Sequence, residues 1–120
     1  MNEPTDLQGI RWCLRSIVLD GRAIDGVEEA GADLTLGAEL RVSGSGGCNR
    51  YFGSYSLDGG SIRFGPLAST LMYCEGTMVV EQAFFKALDL VRGICADGDA
   101  LCLSSEDGTT VLAFRTWTDP

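Results

Sequence analysis

Residues 43–53, SGSGGCNRYFG, are the stretch that decides the fold, because a glycine-rich loop either cradles a ligand or turns a corner in a sheet. A dinucleotide-binding loop needs Gly-x-Gly-x-x-Gly, but Asn49 stands where a third glycine should follow Gly44 and Gly46. A P-loop needs Gly-Lys-Ser/Thr at its end, which this stretch lacks. The next residues, 51–56, are aromatic and small, as in a strand. The stretch therefore predicts a corner between strands, and nucleotide binding is rejected.

The length and charge of the chain predict one acidic domain. The chain has 120 residues, with Lys and Arg numbering 9 against 17 Asp and Glu, and a net charge of −8. A chain of this length buries roughly two thirds of its unfolded surface, so we predict a single domain over residues 1–120 in which residues 1–9 form a polar N-terminal leader. The negative charge disfavours nucleic acid as a partner. The sequence has no signal peptide and no long apolar run, so no transmembrane segment is expected.

Candidate catalytic and metal-binding residues are scarce. Histidine is absent, which excludes His-based nucleophile pairs, His metal ligands and the usual general base. The cysteines form no Cys-x-x-Cys, so no metal and no cofactor are predicted, and most cysteines are expected to be small buried residues. Glu81 and Asp89 are interpreted as solvated helix positions, and Asp97-Gly98-Asp99 as a hairpin turn, since Leu101 offers no oxygen to calcium. No nucleophile can be paired with a base, so no catalytic residue is predicted.

Turn signals and alternating apolar residues predict antiparallel strands. Asp-Gly favours tight turns with positive φ and occurs five times, with Asp at 20, 25, 58, 97 and 107. Residues 10–19 predict a first strand, and residues 34–42 predict either one strand or two short strands turning at Gly37. Residues 51–57 and 61–64 flank the clearest hairpin turn. A closing β-meander is predicted from three short strands, residues 94–96, 101–104 and 111–114.

One helix is predicted within residues 77–93, TMVVEQAFFKALDLVRG. Its apolar residues recur at helical spacing and predict one face that packs on a sheet: Val80, Phe84, Ala87, Leu88 and Val91. Gly93 predicts the end of this helix. Strands and helices do not alternate as in a parallel α/β sheet. We therefore predict an α+β fold, a single domain whose antiparallel sheet, open or barrel-like, packs against one main α-helix.

Five short motifs spread over almost the whole chain occur in an order known from one protein family. They are Trp12-x-Leu14, GSGGCNRYFGSY at 44–55, PLASTLMYC at 66–74, Glu81-Gln82-Ala83-Phe84 and Leu101-x-Leu103. In order and spacing they resemble the META (HslJ-like) domain family. The most specific element is Gly-Cys-Asn-Arg at 47–50 followed by Thr-x-Met-x-Cys at 70–74. Two departures are visible: Leu71 replaces a common Arg or Lys, which removes a cation, and Glu75 stands where proline often follows the second cysteine.

The resemblance implies a small domain of antiparallel strands packed on a helix, encountered in bacterial envelope proteins and lipoproteins and associated with stress or antibiotic tolerance. Eight motif residues are expected to serve the structure or to contact a ligand: Gly47, Cys48, Asn49, Arg50, Tyr51, Thr70, Met72 and Cys74. The paired positions of Cys48 and Cys74 in the two motifs suggest a disulfide in an oxidising compartment and free thiols in the cytosol.

The residue types explain why such motifs are used. Gly44, Gly46 and Gly47 permit positive φ or close backbone approach. Asn49 tolerates left-handed backbone and its side chain can cap neighbouring amides, while Met72 can fill an irregular gap in the core. A structural role is therefore favoured over a ligand-contacting one, since pockets are few per domain.

We therefore predict a non-enzymatic, monomeric META-like module, associated with the bacterial envelope or with stress, that binds a protein or a small molecule. The alternatives are an enzyme using carboxylate or cysteine chemistry, and a structural accessory domain presenting its acidic face to a basic partner. The resemblance implies the periplasm or cell envelope, whereas the missing signal peptide leaves the cytoplasm open. A deep apolar cleft would favour a small ligand, an exposed apolar patch a protein partner, and a carboxyl or thiol buried in a cleft an enzyme.

Overall fold

The structure is a computed structural model that describes residues 7–117. Its helices are α1 (Val27–Ala30) and α2 (Met78–Leu90), with a 3-10 turn at Ala38–Leu40. Its strands are β1 (Arg11–Leu19), β2 (Arg22–Ala23), β3 (Asp33–Leu36), β4 (Arg41–Ser45), β5 (Arg50–Asp58), β6 (Ser61–Phe64), β7 (Ala68–Ser69), β8 (Val91–Asp97), β9 (Ala100–Ser105) and β10 (Val111–Thr116).

Eight of these strands form a closed antiparallel barrel. Each strand is hydrogen-bonded to the next in the order β1, β10, β9, β8, β6, β5, β4, β3 and back to β1. The short strands β2 and β7 pair outside this ring with β1 and β5. The ring closes because β10 pairs with β1 from Trp12↔Thr116 to Val18↔Val111. Closure gives the backbone groups of both terminal strands a partner, so neither is left as a free edge.

The predicted fold class, an α+β domain with an antiparallel sheet packed against one main helix, is wrong. The sheet closes on itself, and its inward side chains pack against the opposite wall of the barrel. Alternating apolar residues give each strand one buried face, but they do not specify whether a helix or another part of the sheet covers that face. Fully buried residues line the barrel: Trp12, Ile17, Leu34, Leu36, Leu101, Leu103 and Leu112.

The main helix, α2, lies across one end of the barrel. It contacts β1, β6 and β9, which are spaced round the ring and are not neighbours of one another. A helix outside the barrel would contact adjacent strands only, and the interior of an eight-stranded barrel is filled by side chains. Phe84 projects into the core, where its ring centroid lies 5.7 Å from Tyr51 and 6.3 Å from Phe114. The helix therefore extends the barrel core at one opening.

The predicted turns are confirmed. The glycine of every Asp-Gly pair has positive φ, at Gly21, Gly26, Gly59, Gly98 and Gly108. The stretch 34–42 is two strands, β3 and β4, on either side of Gly37, which is the second of the two predicted alternatives. The hairpin of β5 and β6 and the meander of β8, β9 and β10 also form as predicted.

The predicted helix end at Gly93 is wrong. Helix α2 ends at Leu90, and Val91 already has extended backbone with φ −66° and ψ 136°. Gly93 lies in β8, opposite Ser61 on one side and Ser104 on the other. A Cβ atom there would lie 3.3 Å from Ser104 Oγ, so this glycine serves close packing of strands.

The N-terminal segment runs along the barrel. Residues 1–6 of the predicted polar leader lie outside the described residues, as do residues 118–120. Leu7 is buried, and Gln8 bridges to Leu36. Gly9 N–H donates to the Leu36 carbonyl at 3.0 Å. The helices within residues 7–117 all fall short of the length and apolarity of a membrane-crossing helix.

Candidate functional site

The glycine-rich loop, residues 46–49, joins β4 to β5 at the end of the barrel that α2 covers. Gly46 N–H donates to the Asn49 carbonyl at 2.9 Å, which closes the turn. Gly47 has φ +114°, a conformation that favours glycine. A Cβ atom on Gly46 would lie 2.7 Å from Glu81 Cγ and 2.9 Å from Phe85 Cζ. The loop therefore needs glycine because it lies directly against α2.

The loop binds a carboxyl group that the protein itself supplies. Glu81 of α2 is 3% exposed, and its Oε1 accepts hydrogen bonds from the backbone N–H of Cys48 at 3.0 Å and of Asn49 at 2.6 Å. Its Oε2 accepts from Asn49 Nδ2 at 2.7 Å. The amides that an external anion would need are thus occupied by Glu81. This arrangement agrees with the corner interpretation of the loop.

The interpretation of Glu81 as a solvated helix position is wrong. The signal for its burial was its position in the helical repeat, three residues before Phe84 and seven before Leu88, on the apolar face. Asp89 and Gln82 are exposed, as their charge and polarity predict. A charged residue on the apolar face of a helix is buried only when hydrogen-bond partners are available to it. For Glu81 these partners come from the glycine-rich loop, which is distant in the chain.

Asn49 connects the loop to the segment 70–74. Its side chain is 3% exposed, and Oδ1 accepts hydrogen bonds from Met72 N–H at 2.6 Å and Thr70 Oγ1 at 2.8 Å. Its Nδ2 donates to the Met72 carbonyl at 3.0 Å as well as to Glu81. Asn49 Oδ1 caps one backbone amide, that of Met72, which is distant in the chain rather than neighbouring as predicted, and the φ of Asn49 is not positive. We call Asn49, Thr70, Glu81 and the Met72 backbone the Asn49–Glu81 cluster.

The remaining motif residues surround this cluster. Arg50 is exposed, and its backbone exchanges hydrogen bonds with Thr70, N–H to Oγ1 at 3.2 Å and carbonyl from the Thr70 N–H at 3.1 Å. Tyr51 is buried in the core, where its hydroxyl donates to the Asp33 carbonyl at 2.8 Å. Burial, and then the charge of Asp33, raise the pKa of Tyr51 well above its ordinary value. Tyr51 therefore stays a neutral hydrogen-bond donor.

Cys48 and Cys74 are disulfide partners in the structure, with Cα atoms 5.7 Å apart. This separation lies within the usual range for a disulfide. The bond joins the glycine-rich loop to the end of the segment 70–74, shortly before α2 begins at Met78 and next to the Asn49–Glu81 cluster. The expectation that most cysteines are buried is wrong, since Cys13 and Cys102 are half-buried and Cys95 is exposed.

Removing the disulfide is expected to destabilise the protein. The double variant Cys48→Ser/Cys74→Ser should lose about 3–4 kcal/mol of unfolding free energy, because the bond restricts a long loop in the unfolded chain. Urea unfolding followed by circular dichroism measures the loss, and reducing agent should produce the same shift in the wild type. Cys13→Ser, a change of the same chemistry at an unpaired cysteine, should leave the midpoint unchanged. A double variant as stable as oxidised wild type, or recovery of both thiols free after oxidising purification, would contradict the expectation.

The two motifs place an apolar segment on the surface. Leu71 is 95% exposed, Met72 56% and Tyr73 79%; we call residues 71–73 the exposed loop. The prediction that Met72 fills a gap in the core is therefore wrong. Phe52 is also exposed, whereas the neighbouring aromatic residues Tyr51 and Tyr55 of β5 are buried. The backbone of the exposed loop is held at Met72 by Asn49 on both its N–H and its carbonyl.

The cavities are either open and polar or small. One of about 570 Å³ lies beside β6, β8 and β9 and is lined mainly by serine, glycine and charged residues, including Arg63, Arg92 and Glu106. A cavity beside Phe85 measures about 160 Å³, and one beside Arg11 about 210 Å³. None of these three is both mostly apolar and within the 300–1,000 Å³ range that ligand pockets typically have. Within residues 7–117, no group of three or more acidic or cysteine side chains is placed to hold a metal ion.

Comparison with solved structures finds the same fold in other proteins. The chain is similar to a protein from Burkholderia xenovorans solved by NMR, with 29% identity, a TM-score of 0.73, and coverage of 97% of this chain and 87% of that one. A second NMR structure has 23% identity, a TM-score of 0.71 and coverage of 96% and 95%. The crystal structure of a DUF4847 family protein from Bacteroides vulgatus has 15% identity, a TM-score of 0.72 and coverage of 95% and 96%. The last two likenesses concern the fold alone.

Comparison of the sequence with protein families gives the identity of the domain. None of the curated proteins matches the chain. The family model of the META domain matches residues 5–117, a range that includes the glycine-rich loop, the exposed loop and α2. This match agrees with the resemblance carried by the Gly-Cys-Asn-Arg and Thr-x-Met-x-Cys motifs. The chain therefore belongs to the META domain family.

Proposed function

We propose that this META domain is a non-catalytic binding module that contacts a protein partner through the exposed loop. The single observation that carries the proposal is the exposure of Leu71 and Tyr73, 95% and 79%, on a backbone that internal contacts hold in place. Tyrosine is enriched among the residues that supply most of the energy of protein interfaces, and aromatic residues and methionine are enriched in interfaces generally. A loop that is already ordered loses little conformational entropy when it binds.

The way the loop is held supports a binding role. Asn49 binds the Met72 backbone from both sides, and the disulfide fixes the chain at Cys74. Glu81 anchors Asn49 to α2 in turn. Val79, at the first turn of α2, is 73% exposed and adds apolar surface close to Cys74 in sequence. The buried polar groups of the cluster thus hold an apolar segment in contact with water. The stability of the fold alone does not require this exposure.

The three other possibilities, an enzyme, a small-molecule site and a structural accessory role, have less support. An enzyme that uses carboxylate chemistry needs a carboxyl directed into a cleft, but Glu81 accepts three protein hydrogen bonds and Asp33 is engaged by Arg11 and by Ser45 N–H. A small-molecule site needs an apolar pocket of ligand size, which the cavities beside Phe85 and Arg11 do not reach. A structural accessory role does not account for the apolar character of the exposed loop.

A bacterial cell envelope or a stress response is the setting that we propose for this binding. The Cys48–Cys74 disulfide supports it, because such bonds persist in oxidising compartments. The structural relative from Burkholderia xenovorans, at 29% identity, supports a bacterial setting.

Site-specific photocrosslinking in the source cells tests the proposal. A photoreactive amino acid is substituted at Leu71, and in a matched control at Arg22, an exposed site on β2, which pairs with the C-terminal end of β1. We expect one discrete protein adduct from position 71 that the control does not give. The partner, once purified, should bind Leu71→Ser/Tyr73→Ser at least about tenfold more weakly, a loss of about 1.4 kcal/mol or more, without a change in the unfolding midpoint.

Two results would overturn the proposal. The first is the same adducts from both positions, or unchanged affinity of the double variant. The second is a rise in melting temperature with a lipid, an antibiotic or a cell-envelope fragment that the double variant retains, because it would place a small-molecule site elsewhere on the domain.

A further inference from the structure

A second pair of cysteines lies on the outer wall of the barrel, away from the exposed loop. Cys95 of β8 is directly opposite Cys102 of β9 in the antiparallel register, and the strands are joined by the turn at Gly98 and Asp99. Directly opposite residues have Cα atoms about 4.5–5.5 Å apart and side chains on the same face of the sheet. A disulfide requires Cα atoms about 4.4–6.8 Å apart. The register therefore brings the two thiols within bonding reach without movement of the strands.

Both thiols are accessible from solvent. The neighbouring residues Leu101 and Leu103 are buried in the barrel, so Cys102 and its partner point outward by strand alternation. Cys95 is exposed and Cys102 is half-buried, and both are free thiols in the structure. Burial raises the pKa of the Cys102 thiol, and the charge of Cys95 raises it further, as expected for two close sulfur atoms.

The pair is isolated from other ligating groups. Cys13 lies on β1 opposite Arg115, whereas Cys102 lies opposite Ala113, so β10 separates the two cysteines. No third acidic or cysteine side chain of residues 7–117 joins the pair to make a metal site. Formation and reduction of a disulfide between the two thiols needs no other side chain of the protein.

Cys95 borders a cavity of about 220 Å³, and the charge of the chain indicates which class of oxidant reacts with the pair. Its other lining residues are apolar or glycine: Leu7, Leu57, Gly59, Gly60, Ile94 and Ala96. The chain carries a net charge of −8, which repels anionic molecules. The cavity is too small for a large ligand and offers no charged partner. Because Cys95 is exposed and the chain is negatively charged, a small, uncharged disulfide is the class of oxidant that we expect to react here.

We propose that Cys95 and Cys102 form a redox site in which the dithiol is oxidised to a cross-strand disulfide by exchange with a small, uncharged disulfide. The site is independent of the binding role of the exposed loop. Cys95, the exposed member, reacts first, and Cys102 completes the exchange. Because the resulting disulfide lies on the surface, it is reduced more readily than Cys48–Cys74, which makes the site reversible.

The exchange balances in two steps. The Cys95 thiolate attacks one sulfur of the substrate R–S–S–R, an S–S bond forms to Cys95, and R–S⁻ leaves and takes up the proton that Cys95 lost. The Cys102 thiolate then attacks Cys95 Sγ, the Cys95–Cys102 bond forms, and the second R–S⁻ leaves and takes up the proton from Cys102. Two electrons pass from the dithiol to the substrate, which is released as two R–SH.

Peptide mapping after treatment with bis(2-hydroxyethyl) disulfide tests the proposal on the wild-type protein. The reaction is quenched with acid, free thiols are alkylated, and the protein is cut with a protease specific for the N-terminal side of aspartate, which cleaves at Asp97 and Asp99 and so separates the two cysteines. We expect to recover the two peptides linked by a Cys95–Cys102 disulfide. Cys13 should be recovered in its alkylated form, which shows that its thiol was not oxidised. Oxidised glutathione, which is anionic, should react at least about threefold more slowly at low salt, and the difference should shrink at high salt.

Single variants separate the two steps. Cys102→Ser should accumulate a stable mixed disulfide on Cys95, because the second thiol is missing. Cys95→Ser should be modified at Cys102 at least about tenfold more slowly, since that thiol is half-buried and less ionised. A mixed disulfide that persists on Cys95 in the wild type, or modification of Cys13 as fast as of Cys95, would overturn the proposal. Equal rates with both disulfides at low salt would overturn the uncharged class of substrate.

Discussion

Replacing Glu81 with alanine is expected to lower the free energy of unfolding by about 3–5 kcal/mol, because each buried donor left without a partner costs about 1–3 kcal/mol. The change removes the acceptor of two backbone N–H groups, those of Cys48 and Asn49, and of the Asn49 side-chain amide. Asn49 keeps its bond to the Met72 carbonyl, so the segment 70–74 is loosened rather than released. Urea unfolding followed by circular dichroism measures the loss.

Two matched variants show that the loss comes from the hydrogen bonds. Glu81→Gln keeps an oxygen for the two backbone N–H groups but turns an amide donor toward Asn49 Nδ2, so about 1–2 kcal/mol should be lost. Gln82→Ala, the same truncation at the next and exposed position of α2, should change stability by less than about 0.5 kcal/mol. A Glu81→Ala protein no less stable than Gln82→Ala would show that the loop does not depend on this carboxyl.

Replacing Phe84 with alanine is expected to cost about 3–5 kcal/mol, the usual range for deleting a buried aromatic ring. Phe84 has no exposed surface, and its ring packs against Tyr51, Phe85 and Phe114. The contacts with Tyr51 of β5 and Phe114 of β10 join α2 to two separate parts of the barrel. Their loss leaves a cavity where the helix covers the opening. Thermal and urea unfolding measure the effect.

Phe52 supplies the matched control, because it neighbours Tyr51 in β5 and is 59% exposed. Phe52→Ala is the same chemical change and should cost less than about 1 kcal/mol. If Phe84→Ala and Phe52→Ala lowered the free energy of unfolding equally, the packing of Phe84 of α2 in the barrel core would be contradicted. A folded Phe84→Ala protein with α2 detached would instead show fast hydrogen exchange in residues 78–90 and slow exchange in β1 and β10.

The structure answers the question raised by the glycine-rich loop. The loop has the backbone amides of an anion cradle, and Glu81 supplies the anion from within the chain. The cradle therefore serves to position the exposed loop through Asn49. We propose that function lies at the surface that the cluster presents, where Leu71 places an apolar side chain in solvent.

Sequence reasoning located the motif residues but not their arrangement in space. It grouped the glycine-rich loop with Thr70 and Cys74 through the family resemblance, and the structure places these residues in contact. It did not anticipate the burial of Glu81 or the exposure of Met72, because burial depends on which distant segment covers a side chain. Cys95 and Cys102 were not singled out, since their pairing follows from the exact register of a hairpin.

The sequence by itself determined the features that depend on a few neighbouring residues. The Asp-Gly turns, the approximate positions of the longer strands, the existence of the main helix and the family all follow from local pattern and motif. Only the tertiary structure decided that β1 and β10, from opposite ends of the chain, pair and close the sheet, and that α2 covers the opening. The physical reason is that a strand's alternation specifies which face is buried, whereas its hydrogen-bonding partner is chosen by the packing of the whole chain.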